Sequence, residues 1–260
     1  MKKIIVFLIV IVTMLGAVGC TTFQTSTTSG PASVTTAEST ANQYYFSRED
    51  WINQNKDSTD PTDIALIKYE LAISAYVSAH PEVETRSDWG VDYNGELAIL
   101  TDLGVHGLPG LVGQFDDPNN PFTIPLIFAV ESICKTNISF IDSFSPQQIS
   151  DWKIAFNNKK NDAKNIVAKV VETLKNNVSV SDEGINNQLA DDGIFSLPYF
   201  YDEVINHSNI ALLKYADKVL PNEKLKEFHI GNGSQDSASY RKALASCISD
   251  INIINNLGVK

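Results

Sequence analysis

The ten residues from Leu100 to Pro109 align without gaps on the ten from Leu189 to Pro198. Leu, Asp, Gly, Leu and Pro coincide at five positions, at an offset of 89 residues, and Val105 and Ile194 form a similar pair. Each conserved type restricts the backbone. Glycine closes a helix because it takes the left-handed conformation at little cost. Proline at the start of a helix gives up an amide hydrogen that had no partner anyway. Helix, glycine stop, sharp corner and Leu-Pro start therefore spell a helical hairpin. Both copies run on into apolar residues, Leu111, Val112 and Phe115 in one and Phe200 and Val204 in the other. A second helical pattern follows each, Leu126, Ile127, Ala129, Val130 and Ile133, then Ile210, Leu212, Leu213, Ala216 and Val219.

Helix signals continue on either side. Asp60-Pro61 is a cap followed by proline at the first helical position, after which Ile64, Ile67, Leu71, Ala75 and Ser78 fall on one face until His80-Pro81. Ser145-Pro146 opens a longer stripe of Ile149, Trp152, Phe156, Ala163, Ile166, Val167, Val170, Val171 and Leu174, with a bend expected near Asn157-Asn158. A last helix is expected from about Ser237 to Asn255, carried by Tyr240, Leu244, Cys247, Ile248, Ile251 and Ile254 at spacings of three and four. Alternating runs and Asn-Gly hairpins are lacking. The fold class read from the chain is all-α.

The paired pattern resembles the HEAT-type repeat, whose antiparallel helix pairs stack into an α-α superhelix. The resemblance covers residues 93–222 in two copies, repeat-like hairpins at about 93–135 and 182–222 with a long insertion between them. The 89-residue spacing is about twice the usual 40–47-residue period, so intervening units are degenerate or absent. What the resemblance implies is an irregular helical-hairpin array whose surface binds protein or peptide, since such a fold supplies no chemistry itself.

The amino terminus has a different character. Lys2 and Lys3 precede an apolar run from Ile4 to Val12 and a small-residue stretch that ends at Cys20, the order of an export signal. Ala17-Val18-Gly19-Cys20 resembles the lipobox of bacterial lipoprotein precursors. That resemblance implies a signal peptide over residues 1–19, cleavage before Cys20, and a diacylglyceryl group on the Cys20 sulfur. Two acyl chains hold a protein stably where one does so only marginally. The uncharged run from Ile4 to Gly19 is 16 residues, short of the roughly 20 that a spanning helix needs. Residues 21–42 are rich in Thr, Ser and Ala, with too little apolar surface to offset ordering. With Cys20 they form a flexible tether over 20–42, reaching on the order of 25 Å, which leaves 43–260 as the helical domain.

The chain is acidic, with a net charge of −11, and loss of Lys2 and Lys3 with the signal makes the mature form two charges more negative. This sign opposes nucleic acid, whose binding draws on Lys and Arg. The expected partners are the membrane, through the lipid, and an envelope protein or peptide. The expected place is the extracytoplasmic face of a bacterial membrane. Cys134 and Cys247 are open to two readings, a disulfide in an oxidising compartment or two buried thiols.

Motifs for chemistry are thin. His80, His106, His207 and His229 form no i, i+4 pair and no zinc motif. His106 lies where the second copy has Phe195, which favours an apolar or capping role. Ser132/Lys135 and Ser150/Lys153 have the spacing of a serine-lysine active site, but its companion motifs are missing. Asp116-Asp117 with Asn119-Asn120 lacks the EF-hand order and reads as an inter-helix loop. Asp102 and Asp191 are expected to face solvent or cap their turns. Gly231-Asn232-Gly233-Ser234 reads as a turn, and no catalytic, metal or cofactor residue is assigned. Among Tyr199, Phe200 and Tyr201, neighbours on a helix point apart, so one belongs to the core, and Tyr199 and Tyr201 are the candidates for a ligand surface. Tyr44, Tyr45 and Phe46 form a second aromatic cluster ahead of the domain. The function expected is a binding scaffold, with a wall-active hydrolase or a solute-binding lipoprotein as alternatives.

Overall fold

The computed structural model describes residues 48–80, 92, 94–117, 120–138, 146–176, 181–230 and 236–259. The chain divides into units 1–40 and 41–260, and every described residue belongs to the second. The signal, Cys20, the tether, the Tyr44–Phe46 cluster and the Gly231–Ser234 turn lie outside the described residues. Those residues form helices and turns with no strand, so the domain is all-α. No helix among them is long and apolar enough to cross a membrane.

α1 (Arg48–Asn55) leads to α2 (Pro61–Ala79), which starts as expected: Asp60 accepts the Thr62 N–H at 2.7 Å and Pro61 opens the first turn. The orientation of α2 differs from the expected one. Thr62, Ala65, Leu66, Tyr69, Glu70 and Ile73 are buried, while Ile64 and Leu71 face outward, Leu71 at 58% exposure. The helix carries two apolar stripes, and the one with Tyr69 and Leu66 puts the larger side chains inside. Glu70 goes in with them because the Arg48 guanidinium meets its carboxylate at 3.0 Å. Arg48 also lies 5.3 Å from the centre of the Phe122 ring.

α3 (Ala98–Thr101), α4 (Gly104–Gly113), a 3-10 turn over Gln114–Asp116 and α5 (Thr123–Cys134) contain and follow the first copy of the ten-residue motif. Asn120, buried in the loop read as inter-helical, accepts the Phe122 N–H at 2.8 Å and donates to Gln114 at 2.8 Å. α6 (Pro146–Lys175) is helical throughout its 30 residues, across Asn157-Asn158 where a bend was expected. Its stripe of Trp152, Phe156, Ala163, Val167, Val170 and Val171 is buried.

α7 (Asp182–Asp192), a 3-10 turn over Gly193–Ser196 and α8 (Leu197–Tyr201) contain the second copy of the motif. After it, the continuous helix that follows the first copy is replaced by a π-turn (Asp202–Asn206), a 3-10 stretch (Ile210–Tyr215) and α9 (Ala216–Val219). α10 (Asn222–Glu227), α11 (Ser237–Ala245) and α12 (Ile248–Asn256) complete the domain. The single last helix expected is thus two. At the break, Ser246 Oγ and Cys247 Sγ both donate to the Ala243 carbonyl, and such side-chain bonds compete with the helical ladder.

The two ten-residue motifs agree in burial at several matched positions. Leu100 and Leu189, Val105 and Ile194, and Leu108 and Leu197 are all buried, whereas Asp102 and Asp191 are exposed. Gly104 and Gly193 both take positive φ, +59° and +53°. Both are also points of close approach. A Cβ on Gly193 would strike the carbonyl oxygens of Cys134 and Lys135 at the end of α5, and one on Gly104 would strike the Glu223 carboxylate. The copies diverge at proline: Pro198 opens α8, but Pro109 lies inside α4, which starts at the glycine instead.

An aromatic chain crosses the domain. Phe115, Trp152, Phe156 and Phe195 pack successively, with ring centres 5.1, 5.2 and 5.1 Å apart. Trp152 donates its indole N–H to Glu131 at 2.7 Å. α6 therefore joins the turn after α4 to the turn before α8 through rings that bury large apolar area.

Candidate ligand groove

α12 packs beside α4. Between them lies an open groove of about 510 Å³, within the usual range for small-molecule and peptide sites. Val112, Ile253 and Leu257 supply apolar lining, and Ser249, Asn252, Asn256 and Asp116 supply polar lining. Gly113 and Gly258 also line it, and a Cβ at either would meet nothing within 4 Å. The absence of two side chains is therefore part of what gives the groove its width.

The wall beyond α12 is a short non-helical segment, residues 257–259, in which Leu257 is extended (φ −69°, ψ 135°). Leu257 and Val259 are buried and Gly258 between them is exposed. α6 holds this segment by its main chain. Asn157 donates from Nδ2 to the Val259 carbonyl at 2.8 Å, and its Oδ1 accepts the Val259 N–H at 3.3 Å. Lys160 donates to the Asn255 carbonyl at 2.8 Å and also to that of Leu257. Burial pulls the Lys160 ammonium below its ordinary range.

At the other end of the α4–α12 seam, His106 Nε2 stands 3.4 Å from Asp250 Oδ1. Asp250 is buried and its Oδ2 has no hydrogen-bond partner, while His106 is largely exposed. Burial raises the Asp250 carboxyl, partly opposed by the nearby charges of Lys224 and His106. His106 is thus a solvent-facing neighbour of a carboxylate, whereas Phe195, its counterpart, is a core residue. Cys247 lies one turn before Asp250 on the same segment, and burial pushes its thiol up to about 12. A thiol so protonated at neutral pH is a poor nucleophile.

Cys134 and Cys247 are both free and buried, the second of the two readings considered for them. Burial raises the Cys134 thiol as well. Tyr199 and Tyr201 are half-buried and pack against the core, with Phe200 fully inside between them. They lie on α8, outside the groove lining. Among the described residues no group of His, Cys, Asp or Glu is placed to hold a metal ion. Asp192 is a further buried carboxyl whose Oδ2 has no hydrogen-bond partner among the described residues, and the buried Ser196 hydroxyl has none either. Burial pushes Asp192 up to about 6, with Lys159 opposing and Asp191 and Asp162 adding to the rise.

The groove residues Gly113, Asn252, Asn256 and Gly258, and Asn157 and Lys160 that hold its wall, carry no motif that singles them out in the sequence. They converge because α4 and α12, distant along the chain, pack together and α6 bonds to the main chain of residues 255–259. No protein-family model matches the sequence, and no curated protein and no solved structure matches it.

Proposed function

We propose that the chain is an extracytoplasmic bacterial lipoprotein, anchored through diacylglyceryl-Cys20, whose helical domain binds an envelope protein or peptide. The anchoring half rests on the order of charge, apolar run and small residues that leads from Lys2 to Cys20. The binding half rests on one observation, the open α4–α12 groove that two bare glycines line and whose far wall is bonded to α6. The agreement of the two glycine corners supports reading residues 93–135 and 182–222 as related hairpins of an irregular HEAT-like array. In such arrays function lies in the surface and not in built-in chemistry.

Two measurements test the halves separately. In a Cys20→Ala chain the precursor should stay uncut and unlipidated; normal processing would remove the anchor from the account. A photoreactive residue at Asn252 should capture a discrete envelope protein in intact cells, and one at exposed Glu172 should not. Equal capture at both positions, or none at either, would contradict a binding role for this face.

A further inference from the structure

Leu257 and Gly258, just beyond α12, form part of the groove wall. In an extended chain the N–H and C=O of one residue point to the same side, and those of the next residue to the opposite side. Val259 directs both groups at Asn157, whose amide takes the place of a neighbouring strand. Gly258, between Leu257 and Val259, makes no hydrogen bond to α6 among the described residues. Neither its N–H nor its C=O has a hydrogen-bond partner among the described residues, and Gly258 lines the groove with open space above its Cα. One side of this short segment is satisfied by the protein, and the other is a donor and acceptor set side by side at the edge of a cavity.

We infer that the α4–α12 groove binds an extended peptide that exchanges two main-chain hydrogen bonds with Gly258. This is the strand-addition mode of recognition, in which main-chain bonds give affinity and the pocket beneath selects side chains. The inference rests on the binding role proposed above and specifies its ligand. Asn252 adds an amide with no partner among the described residues, and Asn256, whose Nδ2 is engaged by the Asn252 carbonyl, leaves its Oδ1 open. Both face the same groove as Gly258 and suit a ligand rich in N–H and C=O groups. Val112, Ile253 and Leu257 take an apolar side chain of the peptide. The lining holds no Lys or Arg and includes Asp116, in a chain of net charge −11, so the peptide is neutral or basic.

The test uses full-length protein in detergent and a phage-displayed library of random heptapeptides as probe. Selected peptides are then titrated against two variants. Gly113→Leu fills the groove; Gly113 has helical φ and ψ of −60° and −28° and free space for a side chain, so this variant folds. Gly258→Pro removes the N–H, and the extended Leu257 before it already has the conformation that a following proline requires. Each should weaken binding at least tenfold. A scan of single N-methyl groups along the peptide, against unaltered protein, should find one amide whose methylation costs a similar factor. The inference is overturned if the library yields no binder, if selected peptides bind both variants unchanged, or if every N-methyl peptide binds equally. Capture of a protein at Asn252 alongside any of those results would leave the binding role standing and remove only the strand-addition mode.

Discussion

The side chain of Asn157 makes both hydrogen bonds of a strand partner to Val259, 2.8 Å to its carbonyl and 3.3 Å from its N–H. A single residue of α6 thereby fixes the wall of a groove built by two other helices. Replacing Asn157 with Leu keeps the size and leaves two buried main-chain groups unsatisfied. Each such loss costs about 1–3 kcal/mol, so N157L should lower the urea midpoint clearly and raise deuterium uptake at residues 257–259. Unchanged uptake there would mean that Asn157 does not hold the segment.

The glycine corners give a comparison with a built-in control. Gly104→Ala and Gly193→Ala both place a Cβ at positive φ, which costs about 1–2 kcal/mol in the left-handed region and more at Gly193, whose ψ of −131° lies outside that region. At Gly104 the atoms met belong to the flexible Glu223 side chain, which can swing aside. At Gly193 they are the backbone carbonyls of Cys134 and Lys135, which cannot. Gly193→Ala should therefore be the more damaging in urea unfolding, by more than about 1 kcal/mol over the other. Equal losses would show that the two corners are packed alike.

The glycine positions of these corners were legible, since both take positive φ, but the Leu-Pro start held only at Pro198, because Pro109 lies inside α4. Asp60-Pro61 and Pro146 marked two helix starts. The apolar stripe of α6 was equally plain, because only one face of that helix is apolar. α2 was misleading for the opposite reason: it has two apolar stripes, and which one turns inward depends on neighbours such as Arg48. The break at Ser246-Cys247 was hidden because side-chain bonds to Ala243, not a Gly or Pro, produce it. Nothing in sequence order marked the groove, since α4 and α12 lie far apart in the chain and Gly113 and Gly258 have no shared motif.

Asp192 supplies a pH signature. Its folded-state carboxyl, pushed up to about 6, binds a proton more tightly than an unfolded aspartate near 3.8. The contribution is therefore fully present below pH ~4 and is lost as pH rises through about 6. Lys159, Asp162 and Asp191 stay in place in an Asp192→Asn variant. That variant should lose the corresponding slope, gaining on the parent by about 2–3 kcal/mol between pH 4 and 7. Parallel stability profiles for the two proteins would argue that Asp192 is ionised without penalty.

The thiols should be silent in the native protein. In a Cys20→Ala background neither Cys134 nor Cys247 should react with a maleimide at neutral pH, because both are buried and protonated. Denaturant without reductant should expose two reactive groups. Labelling in the native state would contradict the burial, and no labelling after unfolding would reveal a disulfide.

The account stands most directly on the chemistry of one residue, and intact-mass spectrometry of protein extracted from bacterial membranes reads it. The predicted result is a chain that starts at Cys20 and carries the added mass of a diacylglyceryl group. A chain that still starts at Met1, or a mature terminus with an unmodified cysteine, would contradict it.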